Sequence, residues 1–174
     1  MKLNGMLKRL PDGTQVLIRA IRPDDKRMLE AGLRNLSETS VQRRFLTPKP
    51  KLSRSELRYL TVVDGRNPVA LVAERPTGPV RALLGVARYV RLPEDPEAAE
   101  VAVVVADHWQ GRGLGTLLVD ELAPRARARG IRRFTATMSS DNTAAHRLFE
   151  KLSRHAAAEH RHGSVTELVS DLAA

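Results

Sequence analysis

The chain has 174 residues, 42% hydrophobic and 28% charged, with no cysteine. This fits one globular domain over residues 1–174 and excludes wholesale disorder, a disulfide framework, a thiolate metal site and a cysteine nucleophile. There are 29 basic and 20 acidic side chains, and the surplus lies early: residues 1–60 hold 14 basic and 6 acidic groups, residues 61–174 hold 15 and 14. A basic end of this kind fits a solvated face or a surface for an anionic partner, while 3% aromatics leave few stacking platforms and disfavour nucleic acid.

In chain order, residues 14–21 read as a strand, and Pro23-Asp24 opens a helix to about Asn35 with Asp24 as its cap. Residues 37–45 read as a short helix. Ser53-Arg54-Ser55-Glu56 has capping-box spacing and starts another, ending near Leu60. Strands follow over 69–74, 81–92 and 98–105, the last two separated by the acidic loop Pro93-Glu94-Asp95-Pro96-Glu97. Residues 113–129 read as a helix with Leu114, Leu117, Leu118, Leu122 and Ala126 on one face, Gly130 as its stop, and Pro124 as an expected kink. A strand over 132–138, a helix over 142–152 capped by Asp141 or Asn142, and a hairpin around His162-Gly163 complete the chain. The order predicts a mixed α/β fold, a long antiparallel meander followed by β-α-β-α, and not a doubly wound nucleotide fold. The longest apolar run, residues 101–106, is far short of the roughly 20 a membrane span needs, and residues 1–10 lack the apolar core of a signal peptide. A soluble, cytoplasmic protein with no membrane partner is the expectation. The five histidines show no metal-ligand spacing, so no metal is expected.

The informative segment runs from Glu100 to Thr116, a buried strand entering a glycine-rich turn and then a helix. Amides at a helix start, reached past small residues, cradle anions, and the helix dipole adds to the attraction. Gly111, Gly113 and Gly115 fit neither the dinucleotide fingerprint nor a P-loop, which needs a lysine absent here.

Gln110-Gly111-Arg112-Gly113-Leu114-Gly115 resembles the Q/R-x-x-G-x-G/A motif of GNAT-type N-acetyltransferases. Asn142-Thr143-Ala144-Ala145-His146-Arg147-Leu148-Phe149-Glu150-Lys151-Leu152 resembles that family's N-x-x-A-x-x-L-Y-E-K-x element, which flanks the cofactor. The likeness is greatest to the GNAT domain of bacterial protein lysine acetyltransferases, through Ala99-Glu100-Val101-Ala102-Val103 and residues 133–142. It implies a mostly antiparallel sheet splayed at an acetyl-CoA site and flanked by helices. It also implies acetyl-CoA as co-substrate, with the pyrophosphate on the amides of Gln110, Gly111, Arg112, Gly113, Leu114, Gly115 and Thr116. The pantetheine arm would lie along Val103, Val104 and Val105, and Asn142 and Phe149 would flank the cofactor.

The resemblance makes Glu100 the general base for a protein lysine and the Val103 amide the oxyanion donor. An ordinary strand-end carboxylate is the other reading of Glu100. Phe149 stands where many members carry the tyrosine that protonates the leaving thiolate; the alternatives are unassisted departure, protonation by water, or protonation by His146. His108 reads as a turn residue and Trp109 as packing. Two other functions stay open: a small-molecule amine acetyltransferase, and a non-catalytic acyl-CoA-binding module.

Overall fold

The computed structural model describes residues 5–49, 51–78, 81–152 and 158–172. Its strands are β1 (Met6–Arg9), β2 (Gln15–Ala20), β3 (Val69–Glu74), β4 (Leu83–Arg91), β5 (Ala98–Val105), β6 (Arg133–Ser139), β7 (Ala158–His162) and β8 (Val165–Asp171). Its helices are α1 (Lys26–Arg34), α2 (Glu38–Phe45), α3 (Arg54–Thr61), α4 (Leu114–Arg127) and α5 (Thr143–Leu152). The strands form one sheet in the order β1-β2-β3-β4-β5-β6-β8-β7. Every neighbouring pair is antiparallel except β5 and β6. The mixed α/β reading with a long antiparallel meander holds.

Helices cover both faces, which is why β3 is apolar at consecutive rather than alternate positions and buried throughout. Val69, Leu71 and Ala73 join Leu114, Leu118, Leu122 and Ala126 of α4 in one core. Ala70 and Val72 join Leu29 and Leu33 of α1 and Leu57 of α3 in the other. Gly85 lets α4 approach: a Cβ there would meet Leu118 Cδ1 at 3.0 Å and the Val104 carbonyl at 3.1 Å. Leu118 and Leu122 are fully buried, so truncating either to alanine should cost about 2–5 kcal/mol.

The caps explain several boundaries. Ser53 accepts the Glu56 amide and Glu56 accepts the Ser53 amide, the capping box expected from the spacing. Asn142, not Asp141, caps α5, accepting the Ala145 amide at 3.2 Å. Gly130 and Gly163 take positive φ at the helix stop and the hairpin turn. Helix α4 passes through Pro124 and ends one turn later. Two expectations need correction. Met6–Arg9 is an edge strand that the pattern missed, because its alternation carries Lys8 and Arg9. The first helix is organised by Asp25 rather than Asp24: Asp25 accepts the Arg22 amide at 2.7 Å and lies buried against Arg19.

That arginine is a second surprise. Arg19 sits in β2 at 3% exposure. Its guanidinium donates to both oxygens of Asp25 at 2.8 Å and to both of Glu74 at 3.0 and 3.1 Å. Arg81 adds two further bonds to Glu74, at 3.0 and 3.1 Å. Burial is the largest influence on both carboxyls and pushes their pKa values up. The bonds and charge of Arg19, with help from Arg22 and Arg81, outweigh it and leave both below the ordinary carboxylate range.

The feature that positions the site is an interrupted ladder. Strand β5 pairs with β4 along its whole length, from Ala99 opposite Arg91 to Val105 opposite Gly85. Its parallel register with β6 covers only Ala98, Ala99 and Glu100. Beyond Glu100 the two strands part, and the sheet opens.

Candidate active site

The phase of β5 decides what faces this opening. The Ala106 amide donates to Leu84 and the Leu92 amide to Ala98, both at 2.9 Å. Even-numbered residues of β5 therefore turn their backbone groups to β4, and beyond the β6 ladder Val103 and Val105 turn theirs to the opening. The Val105 carbonyl is taken by the Gln110 side chain at 3.0 Å. The side chains alternate too: Val103 and Val105 pack toward the α4 core, while Val104 lies on the α1–α3 side.

The turn after β5 needs its glycines. Gly111 and Gly113 have φ of +72° and +86°, and a Cβ on Gly113 would also meet Pro11 at 3.2 Å. Gly113 is the N-cap of α4 and has no side chain to cap with. Its carbonyl accepts the Leu117 amide at 3.0 Å. The amides of Leu114, Gly115 and Thr116 come before any carbonyl the helix can offer them. Uncapped amides at the positive end of a helix dipole suit a phosphate. Arg112 has another task. Its side chain bonds Asp12 at 2.7 Å and Thr14 at 2.8 Å, and stacks 4.3 Å from the centre of the Trp109 ring. The bonds from Thr14, then Arg112, hold the Asp12 carboxyl at about 2.

A second brace joins this turn to α2. Asp107 accepts from the Ser37 amide at 2.8 Å, the Ser37 hydroxyl at 2.9 Å and the Ser40 hydroxyl at 2.6 Å. Gln110 donates to Ser40 at 3.1 Å. Burial raises the Asp107 pKa, but the bonds from Ser40 and Ser37 together leave it lowered. The Gln110 side chain is thus a strut between β5 and α2, leaving its backbone to the turn.

These parts enclose a cavity of about 700 Å³. Glu100, Val103, Val104 and Val105 line it from β5. Gln110, Gly111, Gly113, Leu114, Gly115 and Thr116 line it from the turn and α4, and Asn142 and Phe149 from the start and inner face of α5. Arg112, tied to Asp12, is the one expected site residue outside the lining. Trp109 lines the cavity as well as packing on the core; His108 and His146 do not line it. Phe149 is buried at 3% and brings no hydroxyl.

The cavity also holds residues that sequence reasoning passed over. Arg147 and Lys151 lie one turn apart on α5, and Arg43 and Arg44 come from α2. The i,i+4 spacing on α5 was a readable signal; the approach of α2 to β5 was not. With the uncapped amides, Arg147 and Lys151 fit an elongated ligand with several phosphates. Among the described residues, no group of histidine, aspartate and glutamate side chains could hold a metal ion, and no helix is long and apolar enough to cross a membrane.

Comparison with known proteins agrees with this geometry. Residues 34–153 match the model of the acetyltransferase (GNAT) family, whose members take their acetyl group from acetyl-CoA. Acetyltransferase Pat of Mycolicibacterium smegmatis is 33% identical over 141 residues, 80% of this chain but only 41% of that protein's length. An acetyltransferase of Pseudomonas aeruginosa is 33% identical over 136 residues, 78% of this chain and 72% of its own. The crystallised GNAT domain of S. lividans PAT superposes with a TM-score of 0.85 at 29% identity, covering 99% of each chain. The opened sheet, the glycine turn and the extent of these matches lead to one assignment: the chain belongs to the GNAT family of acetyltransferases.

Proposed function

We propose that this chain transfers an acetyl group from acetyl-CoA to the side-chain amine of a protein lysine, with Glu100 as general base. The observation that carries the reading is the content of one strand. Glu100 stands where β5 leaves β6, the Val103 amide faces the opening three residues on, and the phosphate-type turn begins past the strand's end. Base, oxyanion donor and cofactor anchor are thereby held on one rigid element.

Acetyl-CoA supplies the activated acyl group. A lysine amine with a pKa of about 10.4 is almost wholly protonated at neutral pH. Glu100 removes that proton, directly or through a water. The freed amine attacks the thioester carbonyl, forming the C–N bond as the C–S bond breaks. The Val103 N–H bears the charge that develops on the carbonyl oxygen. As the amide forms, its nitrogen gives up its second proton to water; Phe149 has no proton to give, so the leaving thiolate takes one from water. The amides of residues 114–116, Arg147 and Lys151 orient the phosphates. The basic segment of residues 1–60 favours an acidic surface around the target lysine over a polycationic acceptor.

Two measurements test this. Acetyl-CoA or CoA at 100 times its Kd should add about 2.7 kcal/mol and raise the melting temperature by several degrees, where ATP and NAD do not. Glu100→Gln should lower kcat by about 10²–10⁴ and leave acetyl-CoA affinity near wild type. Turnover equal to wild type in that variant removes Glu100 from the mechanism.

A further inference from the structure

Among the described residues, Arg88 is a buried cation without a counter-ion. It lies in β4 at 5% exposure, and both terminal guanidinium nitrogens are shielded from solvent with no hydrogen-bond acceptor. Among the described residues, no carboxylate lies within ion-pair distance of Arg88 or of its neighbour Arg44. Tyr59 of α3 stacks 4.7 Å from Arg88, an aromatic face rather than a counter-ion, and is itself 58% exposed. Desolvating an unpaired guanidinium is strongly unfavourable, so proteins seldom keep one without a use. Burial pulls the pKa of both arginines down, and for Arg44 the charge of Arg88 adds to it while Glu100 opposes it.

Its place in the fold gives the use. Arg88 is opposite Ala102 of β5, and Glu100 is one same-face position along that strand. Diagonal neighbours of this kind stand about 7–8 Å apart. Arg88 and Arg44 both line a small, largely apolar pocket of about 70 Å³ under α1–α3, with Leu33, Leu36 and Val104. Arg44 and Val104 line the large cavity as well, so the two spaces share a wall. The phosphate-type amides, by contrast, open α4, whose apolar side packs on the other core.

We propose that Arg88 and Arg44 form a subsite for a carboxylate carried by the acceptor, close to the amine that Glu100 deprotonates. This rests on the acetyl-transfer reading above for the role of Glu100, and it narrows the acceptor class. The carboxylate is either the acceptor's own, as in a free amino acid, or an acidic side chain beside a target lysine. A guanidinium fork offers paired N–H donors to carboxylate oxygens, which a lysine ammonium cannot match.

The test compares acceptors that differ only in that group, by calorimetric titration of the protein alone and saturated with CoA. One pair is L-lysine and 1,5-diaminopentane; the other is a lysine peptide flanked by glutamate and the same peptide flanked by glutamine. The carboxylate-bearing member of one pair should bind tenfold or more tighter. Arg88→Met should bring the two members to within about twofold, and Arg88→Lys should keep part of the difference. A preference in the first pair assigns the carboxylate to a free amino acid, and one confined to the second assigns it to a flanking side chain. Near-equal binding in both pairs, or a preference that survives both Arg88→Met and Arg44→Gln, overturns the proposal. Arg88→Met should melt no lower than wild type, which separates this role from a structural one. Failure to acetylate any amine would sink the proposed function instead, because the binding preference is read without turnover.

Discussion

Arg19 and Arg88 leave the same face of the sheet, both toward α1–α3, and are almost equally shielded at 3% and 5% exposure. Arg19 is saturated by Asp25 and Glu74, and its five side-chain bonds include one to its neighbour's carbonyl. Arg88 has an aromatic ring beside it and unmatched donors. One arginine is spent on joining β2, β3 and the start of α1. The other is held at a cost to the free protein, beside the strand that carries Glu100. Equal burial therefore says nothing about role; the partners do.

This contrast can be broken or sharpened by substitution. Arg19→Met leaves Asp25 and Glu74 buried without their main cation and should destabilise the protein by about 3–5 kcal/mol in urea unfolding at pH 7. A next, smaller effect is in acid. Folded-state pKa values of Asp25 and Glu74 are depressed, so their contribution is full above the unfolded values of about 3.9 and 4.3 and is lost as pH falls through the folded ones. Wild type should lose stability steadily below about pH 4, and Arg19→Met should lose less over that range because the depression is gone. Equal slopes would show that the cluster does not set the acid limb. Arg81→Ala comes third. That side chain is half-exposed and shares Glu74 with Arg19, so at most about 1 kcal/mol should be lost. Arg88→Met is the smallest, equal to wild type or up to about 1 kcal/mol more stable, since it removes an uncompensated buried charge. A loss of 3 kcal/mol there would make the two arginines alike and end the contrast.

What could be read in the sequence was local. The turn after β5 was legible because Gly111 and Gly113 both need positive φ and both stand beside a periodic apolar helix. The capping box at Ser53 and the cap at Asn142 involve partners three residues away. The parts that were not legible depend on distance along the chain. Arg19 meets Glu74 across 55 residues, and Asp107 meets Ser37 across 70. Arg19 and Arg88 both sit in strands where charge ordinarily signals a solvent-facing position, and only the helices laid over that face bury them. Arg112 failed in the opposite way. Its place in the motif suggested a ligand contact, while a carboxylate 100 residues earlier had already claimed its side chain.

The end of the β5–β6 ladder at Glu100 has a consequence for amide exchange with solvent. From Val101 onward, alternate N–H groups of β5 have a strand on one side and an opening on the other. In the free protein the amides of Ala102 and Val104, bonded toward β4, should exchange slowly, and those of Val103 and Val105 quickly, giving an odd–even pattern within a single strand. An extended ligand lying in the opening would act as the missing neighbour strand and slow the odd-numbered amides while leaving the even ones as they were. The strand would thus report occupancy of its own open edge, one residue in two.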